Sequence, residues 1–454
     1  MNLRRWLTPG IGIKRWLGVV FAGLVLLALA VAHVVRQATA GLHPDGIGGA
    51  ILDLATLQFL PYPLRGLIVG GVGTALVAIG AVRVLRAVTE PLRAADQDLP
   101  LVEVIYQKRF LARGPKVVAI GGGTGLSTFL RGMKEHTSNI TAIVTVADDG
   151  GSSGALREEL GIPPVGDIRN CIAALADAEP LMSELLGYRF PGGRDGQGGR
   201  GSDGSPLENE PGGLAGHAIG NLLIAALTAV EGGDFEEGVR RMNRVLAVRG
   251  QVLPVSPTPI TLHARTRAGV VVAGQSHVMR TPDIERVWIT PADVAASTDA
   301  LAAIAEAEII VLGPGSLYTS LLPALLVPGI REAIVRSSAV RVYVCNVATQ
   351  EGETQGFDLA DHVEALRAHT EPDLVELVLA NDRFDARIPR DWHAEPVRLR
   401  WPPRGDHIPG LVTEDVVDAV NAHHHDPARL SAAVLRVAER EAASRRRAGA
   451  VRTA

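Results

Sequence analysis

The stretch from Lys116 to Gly154, KVVAIGGGTGLSTFLRGMKEHTSNITAIVTVADDGGSSG, constrains the fold more than any other part of the chain. A β-branched run, Val117 to Ile120, enters Gly121-Gly122-Gly123-Thr124-Gly125, and a helical pattern follows from Leu126 to Lys134. A second buried-strand pattern, Ile140 to Val146, ends in the polar loop Asp148 to Gly154. Strand, glycine loop, helix, strand and polar loop make one βαβ unit of a parallel sheet. Backbone N–H groups at the start of such a helix are unpaired and lie at the positive end of its dipole, so the loop suits a phosphate. Glycines let the backbone approach the anion without a Cβ in the way.

Composition agrees with an α/β protein rich in tight turns: 47% hydrophobic residues, 4% aromatics and 50 glycines in 454 residues. That length accommodates two or three domains. Two cysteines, Cys171 and Cys345, make no disulfide framework and no CxxC, which points to a reducing compartment for the folded part. The net charge of −4 hides an asymmetry, with residues 1–116 net basic and the remainder net acidic. An acidic folded part argues against broad nucleic-acid binding.

Residues 1–95 are a different material. Trp16–Ala32 and Gly66–Val82 are uncharged apolar runs of 17 residues each, at the short end of the roughly 17–25 that span a bilayer. Arg4, Arg5, Lys14 and Arg15 precede the first; Arg83, Arg86, Arg93, Lys108 and Arg109 follow the second. By the positive-inside rule both flanks are cytoplasmic, and the pair is a two-helix transmembrane hairpin. A charged connector, 96–114, leads to the α/β domain, 115–400. Within it, Pro191–Gly213 is a Gly/Asp/Ser/Arg-rich flexible insertion, with too few apolar residues to build a core. A helical segment (Thr413–Ala422, Pro427–Ala443) and an arginine tail complete the chain at 401–454.

Further motifs punctuate the α/β region. Gly161 to Asn170, GIPPVGDIRN, reads as a shaped loop leading into the helix Cys171–Ala178, with Asp167 a candidate cap. Gly216-His217-Ala218-Ile219-Gly220-Asn221 opens a helix, and a helix continuing through it would carry His217 and Asn221 on one face. Strands are expected at 251–259, 260–274 and 284–289, and a helix at 291–306. The buried run Ile309–Leu312 enters Gly313-Pro314-Gly315-Ser316-Leu317-Tyr318-Thr319-Ser320, repeating the strand, small-residue loop and helix of the first motif. The strand Val340–Val344 ends in Cys345-Asn346 and a polar loop to Thr354. Loops at the carboxyl ends of parallel strands are neighbours, so these gather at one site.

The motifs VVAIGGGTGLS (117–127), TVADDGGSSG (145–154), PPVGDIRN (163–170), GHAIGN (216–221), GPGSLYTS (313–320) and CNVATQEGET (345–354) resemble the gluconeogenesis factor (YvcK-like) family. That family lies in the superfamily of 2-phospho-L-lactate transferase, and the resemblance covers about Lys116 to Asn381. It implies a Rossmann-like, mostly parallel sheet with helices on both faces. It also implies a regulator of carbon use and cell shape that binds a nucleotide or nucleotide sugar, a UDP-sugar foremost. The nucleotide-binding candidates are Gly121, Gly122, Gly123, Thr124, Gly125, Asp148, Ser152, Ser153, Asp167, Asn170, His217, Asn221, Gly313, Gly315, Ser316, Tyr318 and Asn346.

The alternative is a transferase moving a phospholactyl-like group from a nucleotide diphosphate donor. Asp148 and His217 are its catalytic candidates, and Asp148 with Asp149 would hold Mg²⁺. Asp148 also lies 23 residues after Gly125, near the spacing of the acid that binds a ribose hydroxyl. A nicotinamide dehydrogenase fits less well, because GGGTGLS lacks the third glycine of GxGxxG. The hairpin departs from the cytoplasmic pattern of the family and places this chain in the cell membrane, multi-pass, with the ligand domain in the cytoplasm. Protein partners and a homo-oligomer are further expectations.

Overall fold

A computed structural model describes residues 110–177, 179–191, 214–385 and 393–453, together with Leu24. Leu24 apart, the expected membrane hairpin, most of the connector and residues 192–213 of the insertion lie outside the described residues. Among the described residues no single helix is long and apolar enough to cross a membrane.

The core is a seven-stranded sheet of order β10-β9-β8-β7-β1-β2-β3, every neighbouring pair parallel. Its strands are β1 (Val117–Gly121), β2 (Ile140–Val144), β3 (Gln251–Pro254), β7 (Ile309–Leu312), β8 (Val340–Val344), β9 (Leu377–Asn381) and β10 (Gly410–Glu414). β1, β2, β7 and β8 are buried at every position, which is why β1 and β7 read as unbroken apolar runs and β2 and β8 as runs broken only by Thr141 and Arg341. From β1 the chain steps through β2 to β3 in one direction. It then returns to the other side of β1 with β7 and continues outward to β10. Strand order therefore reverses between β1 and β7, and in open α/β sheets a ligand crevice lies at such a point. A separate antiparallel sheet, β5-β4-β6, is made by β4 (Thr261–Thr266), β5 (Val271–Ala273) and β6 (Ile284–Thr290).

Several elements differ from the reading of the sequence. The span 260–274 is two strands joined by a turn, with the Thr266 and Val270 backbones bonded across it. The helix expected at 291–306 starts only at Thr298, after Ser297 caps it by accepting from the Ala300 N–H at 3.3 Å. Residues 413–422 are not helical. Gly410–Glu414 pairs with Leu377–Asn381 as the edge strand, so the main sheet extends past the boundary expected at residue 400. Val416 and Val417 are then buried, and Asp418 turns the chain by accepting from the Val420 and Asn421 N–H groups at 2.7 and 3.0 Å. The apolar spacing there mimics a helix, but pairing with β9 fixes 413–414 and the Asp418 turn shapes the rest.

Two helices begin inside stretches that read as loops. These are Gly151–Leu160 and Gly166–Leu175, here α2 and α3 after α1 (Gly123–Met133). Pro163 and Pro164 precede α3 without entering it, and glycine at the first position of each helix does not prevent it from forming.

Candidate functional site

The two glycine loops meet at the reversal point. Gly123 adopts φ +67°, which lets the chain leave β1 and begin α1 within two residues. A Cβ on Gly125 would lie 2.7 Å from the Pro314 carbonyl oxygen, so only glycine permits the loops after β1 and β7 to touch. Asn346, at the end of β8, holds the second loop from behind. Its Oδ1 accepts from the Gly315 N–H at 3.2 Å and its Nδ2 donates to the Gly315 carbonyl at 3.0 Å. Gln350 Nε2 donates to Ser316 Oγ at 2.8 Å. Buried Glu353 accepts from the Tyr318 N–H at 3.3 Å and from the Thr319 hydroxyl. Tyr318 itself is turned into the core, edge-on to Phe357 and His369.

Opposite lies a cluster of charge. Asp148 follows β2; its Oδ1 accepts from the Gly150 N–H at 3.0 Å, and the Ser153 hydroxyl also bonds it. Burial raises its carboxyl above the ordinary value, with Asp149 adding to the rise and Arg169 opposing it. Asp167 sits in the first turn of α3, not at its cap, and its carboxylate accepts from the Gly123 N–H. Burial, then the charge of Asp148, pushes Asp167 up to about 6. Burial lowers the Arg169 guanidinium. Asp167 thus faces the glycine loop, the charge of Asp148 acts on it, and the positive charge acting on both is that of Arg169.

Asp149 points elsewhere. Its Oδ1 accepts from the N–H and hydroxyl of Ser276 at 2.8 and 2.6 Å, tying the β2 loop to the short helix after β5. From that helix Gln275 Nε2 donates to the Thr319 carbonyl at 2.7 Å. The small sheet therefore clasps both loops.

A third group joins α2 to the helix Ile219–Val230, here α5 after α4 (Glu179–Gly187). Ser152 Oγ lies 3.1 Å from His217 Nδ1 and accepts from Asn221 Nδ2 at 3.0 Å. Asn221 Oδ1 accepts from Arg169 Nη1 at 3.1 Å, and Asn170 Oδ1 accepts from Arg169 Nε and Nη2 at 3.3 and 2.9 Å. His217 precedes α5, so its pairing with Asn221 comes through Ser152 and not along one helical face.

The crevice thus brings together Gly121 to Gly125, Asp148, Asp167, Gly313 and Gly315. It turns Tyr318 inward and commits Asp149 to Ser276. Arg169, Gln275, Ser276, Gln350 and Glu353 take part without having been singled out in the sequence. Arg169 had a signal, being the cation between Asp167 and Asn170 in GDIRN.

Residues 117–399 match the family model of 2-phospho-L-lactate transferase CofD. The chain belongs to that family. Within it the chain sits with the gluconeogenesis factors. It is 44% identical over 365 residues to a putative gluconeogenesis factor from Nostoc sp., covering 80% of this chain and 75% of that one. It is 45% identical over 290 residues to the gluconeogenesis factor of Bacillus subtilis, covering 63% and 86%. A putative gluconeogenesis factor of Deinococcus radiodurans is 38% identical over 442 residues, covering 96% of this chain and 89% of its own, so that similarity extends well before Lys116. A crystal structure of a member of the UPF0052 family from Bacillus halodurans superposes with a TM-score of 0.61 at 42% identity, covering 71% of this chain and 99% of that one.

Proposed function

We propose that the crevice between β1 and β7 binds a nucleotide sugar, foremost a UDP-sugar, and that the occupied protein regulates carbon metabolism, cell envelope synthesis and cell shape. The observation that carries this reading is the meeting of two glycine loops at the strand-order reversal, facing Asp148 and Asp167. Helix α1 directs its N-terminus at that space, which favours a diphosphate. The carboxylates suit a divalent cation such as Mg²⁺, which is commonly held by one or two carboxylates plus substrate phosphate and water. Asp148 and Asp167 fit that role better than Asp148 and Asp149, since Asp149 already accepts two bonds from Ser276. Bound there, the cation would neutralise diphosphate charge, while Arg169 steadies both carboxylates from the protein side.

The family match favours a second reading, transfer of a phospholactyl-like group from a nucleotide diphosphate donor. Replacement of Asp148 by Asn separates the two. Full-length protein is titrated with UDP-glucose in Mg²⁺ and in chelator while release of nucleotide monophosphate is followed. The regulator reading expects about a tenfold or greater loss of affinity, confined to Mg²⁺, and no multiple turnover. Turnover by the wild type that Asp148→Asn abolishes at unchanged affinity would establish the transferase instead.

The same proposal places the ligand domain in the cytoplasm behind a multi-pass membrane anchor, with protein partners and self-association as further expectations. A reporter fused after Arg93 tests the topology. Activity of a reporter that works only in the cytoplasm is expected, and activity of one that works only outside it would remove the hairpin.

A further inference from the structure

The hydrogen bonds around Ser152 have a direction that can be followed from donor to donor. A guanidinium only donates, so the Arg169 contact at 3.1 Å makes the facing atom of Asn221 its carbonyl oxygen. The amide NH₂ of Asn221 therefore faces Ser152 Oγ at 3.0 Å and donates to it. The Ala218 N–H approaches the same oxygen at 3.4 Å. A hydroxyl has two lone pairs and one proton; both lone pairs are engaged, so the proton goes to His217 Nδ1 at 3.1 Å. A neutral ring that accepts at Nδ1 carries its hydrogen on Nε2. His217 is 7% exposed, and Nε2 has no partner among the described residues, yet it is not sealed from solvent. Ser152 stands in the first turn of α2 beside Ser153, whose hydroxyl reaches Asp148.

We infer that Arg169, Asn221 and Ser152 form a one-way relay that presents His217 to the crevice as a hydrogen-bond donor through Nε2, where it takes a phosphoryl oxygen of the bound diphosphate. Asn221 is then a positioning residue that acts through the ring, and His217 is a specificity residue that selects an oxygen bearing no proton. In this tautomer Nε2 holds a hydrogen and does not serve as a general base. The inference rests on the nucleotide reading for its ligand but not for its relay.

Asn221→Asp tests the direction. One carboxylate oxygen keeps the Arg169 contact; the other can only accept, so the Ser152 proton turns toward it. His217 must then donate from Nδ1, and Nε2 becomes an acceptor. Nitrogen NMR of the full-length protein with ¹⁵N-labelled histidine, the His217 signal being assigned by its loss in His217→Gln, should show the Nε2–H tautomer in the wild type. The Nδ1–H tautomer should appear in Asn221→Asp. Titration with inorganic pyrophosphate and with UDP-glucose, both in Mg²⁺, completes the test. His217→Gln, whose amide N–H reaches the Nε2 position, should bind within about threefold of wild type, whereas His217→Asn and Asn221→Asp should lose about tenfold or more.

A wild-type ring protonated on Nδ1, or an unchanged tautomer in Asn221→Asp, would overturn the relay. Losses seen with UDP-glucose but absent with pyrophosphate would move the accepting oxygen off the phosphates and overturn that assignment. A wild type that binds neither probe would remove the nucleotide reading and the ligand half of this inference, while the tautomer measurement still decides the relay.

Discussion

The two halves of the crevice use polar residues in opposite ways. On the β7–β8 side the polar groups mostly answer one another: Asn346 closes both bonds on Gly315, Gln350 holds Ser316, and Glu353 fastens Tyr318 and Thr319. Burial pushes the Glu353 carboxyl up to about 7, but its bonds are to the loop itself. On the β1–β2 side Asp148, Asp167 and Arg169 are all displaced from their ordinary values, with burial the first cause in each. A half whose polar groups mostly bond its own loop, Gln350 Oε1 apart, is scaffold. A half that keeps two buried carboxylates beside a helix N-terminus, with Arg169 the positive charge acting on both, holds negative charge that a cation can balance further. The difference assigns binding chemistry to one side and loop geometry to the other.

The contrast breaks most severely where the halves touch. In Gly125→Val the new Cβ would meet the backbone of Pro314 at 2.7–2.8 Å, and backbone cannot rotate away. The expected loss is about 3 kcal/mol or more of stability, seen as a lower urea midpoint. At Gly123 a Cβ would find nothing nearer than Ser320 Oγ at 3.7 Å, so Gly123→Val should fold, at a cost of about 1–2 kcal/mol for φ +67°. Its side chain would nevertheless crowd the anion site and abolish UDP-glucose binding by calorimetry. A Gly125→Val protein as stable as the wild type would show that the loops do not meet.

The scaffold half gives the next effect. Asn346→Leu leaves the N–H and carbonyl of Gly315 without partners, and each such loss costs about 1–2 kcal/mol in a partly buried place. Stability should fall by about 3 kcal/mol. The affinity of the folded fraction for pyrophosphate should change less than threefold. A large loss of affinity at unchanged stability would make Asn346 a ligand contact and erase the distinction between the halves.

The sequence made each half legible alone but not their meeting. Both strand–glycine–helix motifs show in residue order because apolar runs and glycines are local signals. That β1 lies beside β7 follows only from long-range pairing, as between Val117 and Ile309. The same limit explains the carboxylates. Asp148 and Asp149 are adjacent in sequence, yet one is bonded to Gly150 and Ser153 and the other to Ser276; Asp148 also acts on Asp167, which α3 delivers from 19 residues further on. The starts of α2 and α3 were obscured because glycine and proline mark turns as readily as helix starts. In the span 413–422 the helical apolar spacing is overridden locally: Thr413 and Glu414 pair with β9, and the Asp418 side chain turns the chain that follows.

The smallest expected effect is also the sharpest test of unbalanced charge. Asp167 ionises in the folded protein only near pH 6, against roughly 4 for an ordinary aspartate. Below about pH 4 it is protonated in both states and costs nothing. Between pH 4 and 6 the unfolded chain releases the proton that the folded chain keeps, so stability falls as pH rises, and above pH 6 the full cost persists. That displacement corresponds to about 3 kcal/mol; because Asp167 keeps some solvent exposure, about 2 kcal/mol is the better expectation. Asp167→Asn keeps an acceptor for the Gly123 N–H and removes the charge. The variant should therefore be about 2 kcal/mol more stable than wild type at pH 8 and equal to it at pH 4, by urea unfolding. It should also lose the further stabilisation that Mg²⁺ with UDP-glucose confers on the wild type. A gain of the same size at both pH values would mean that packing, not charge, is what Asp167 strains. The β1–β2 half would then be as internally balanced as its partner.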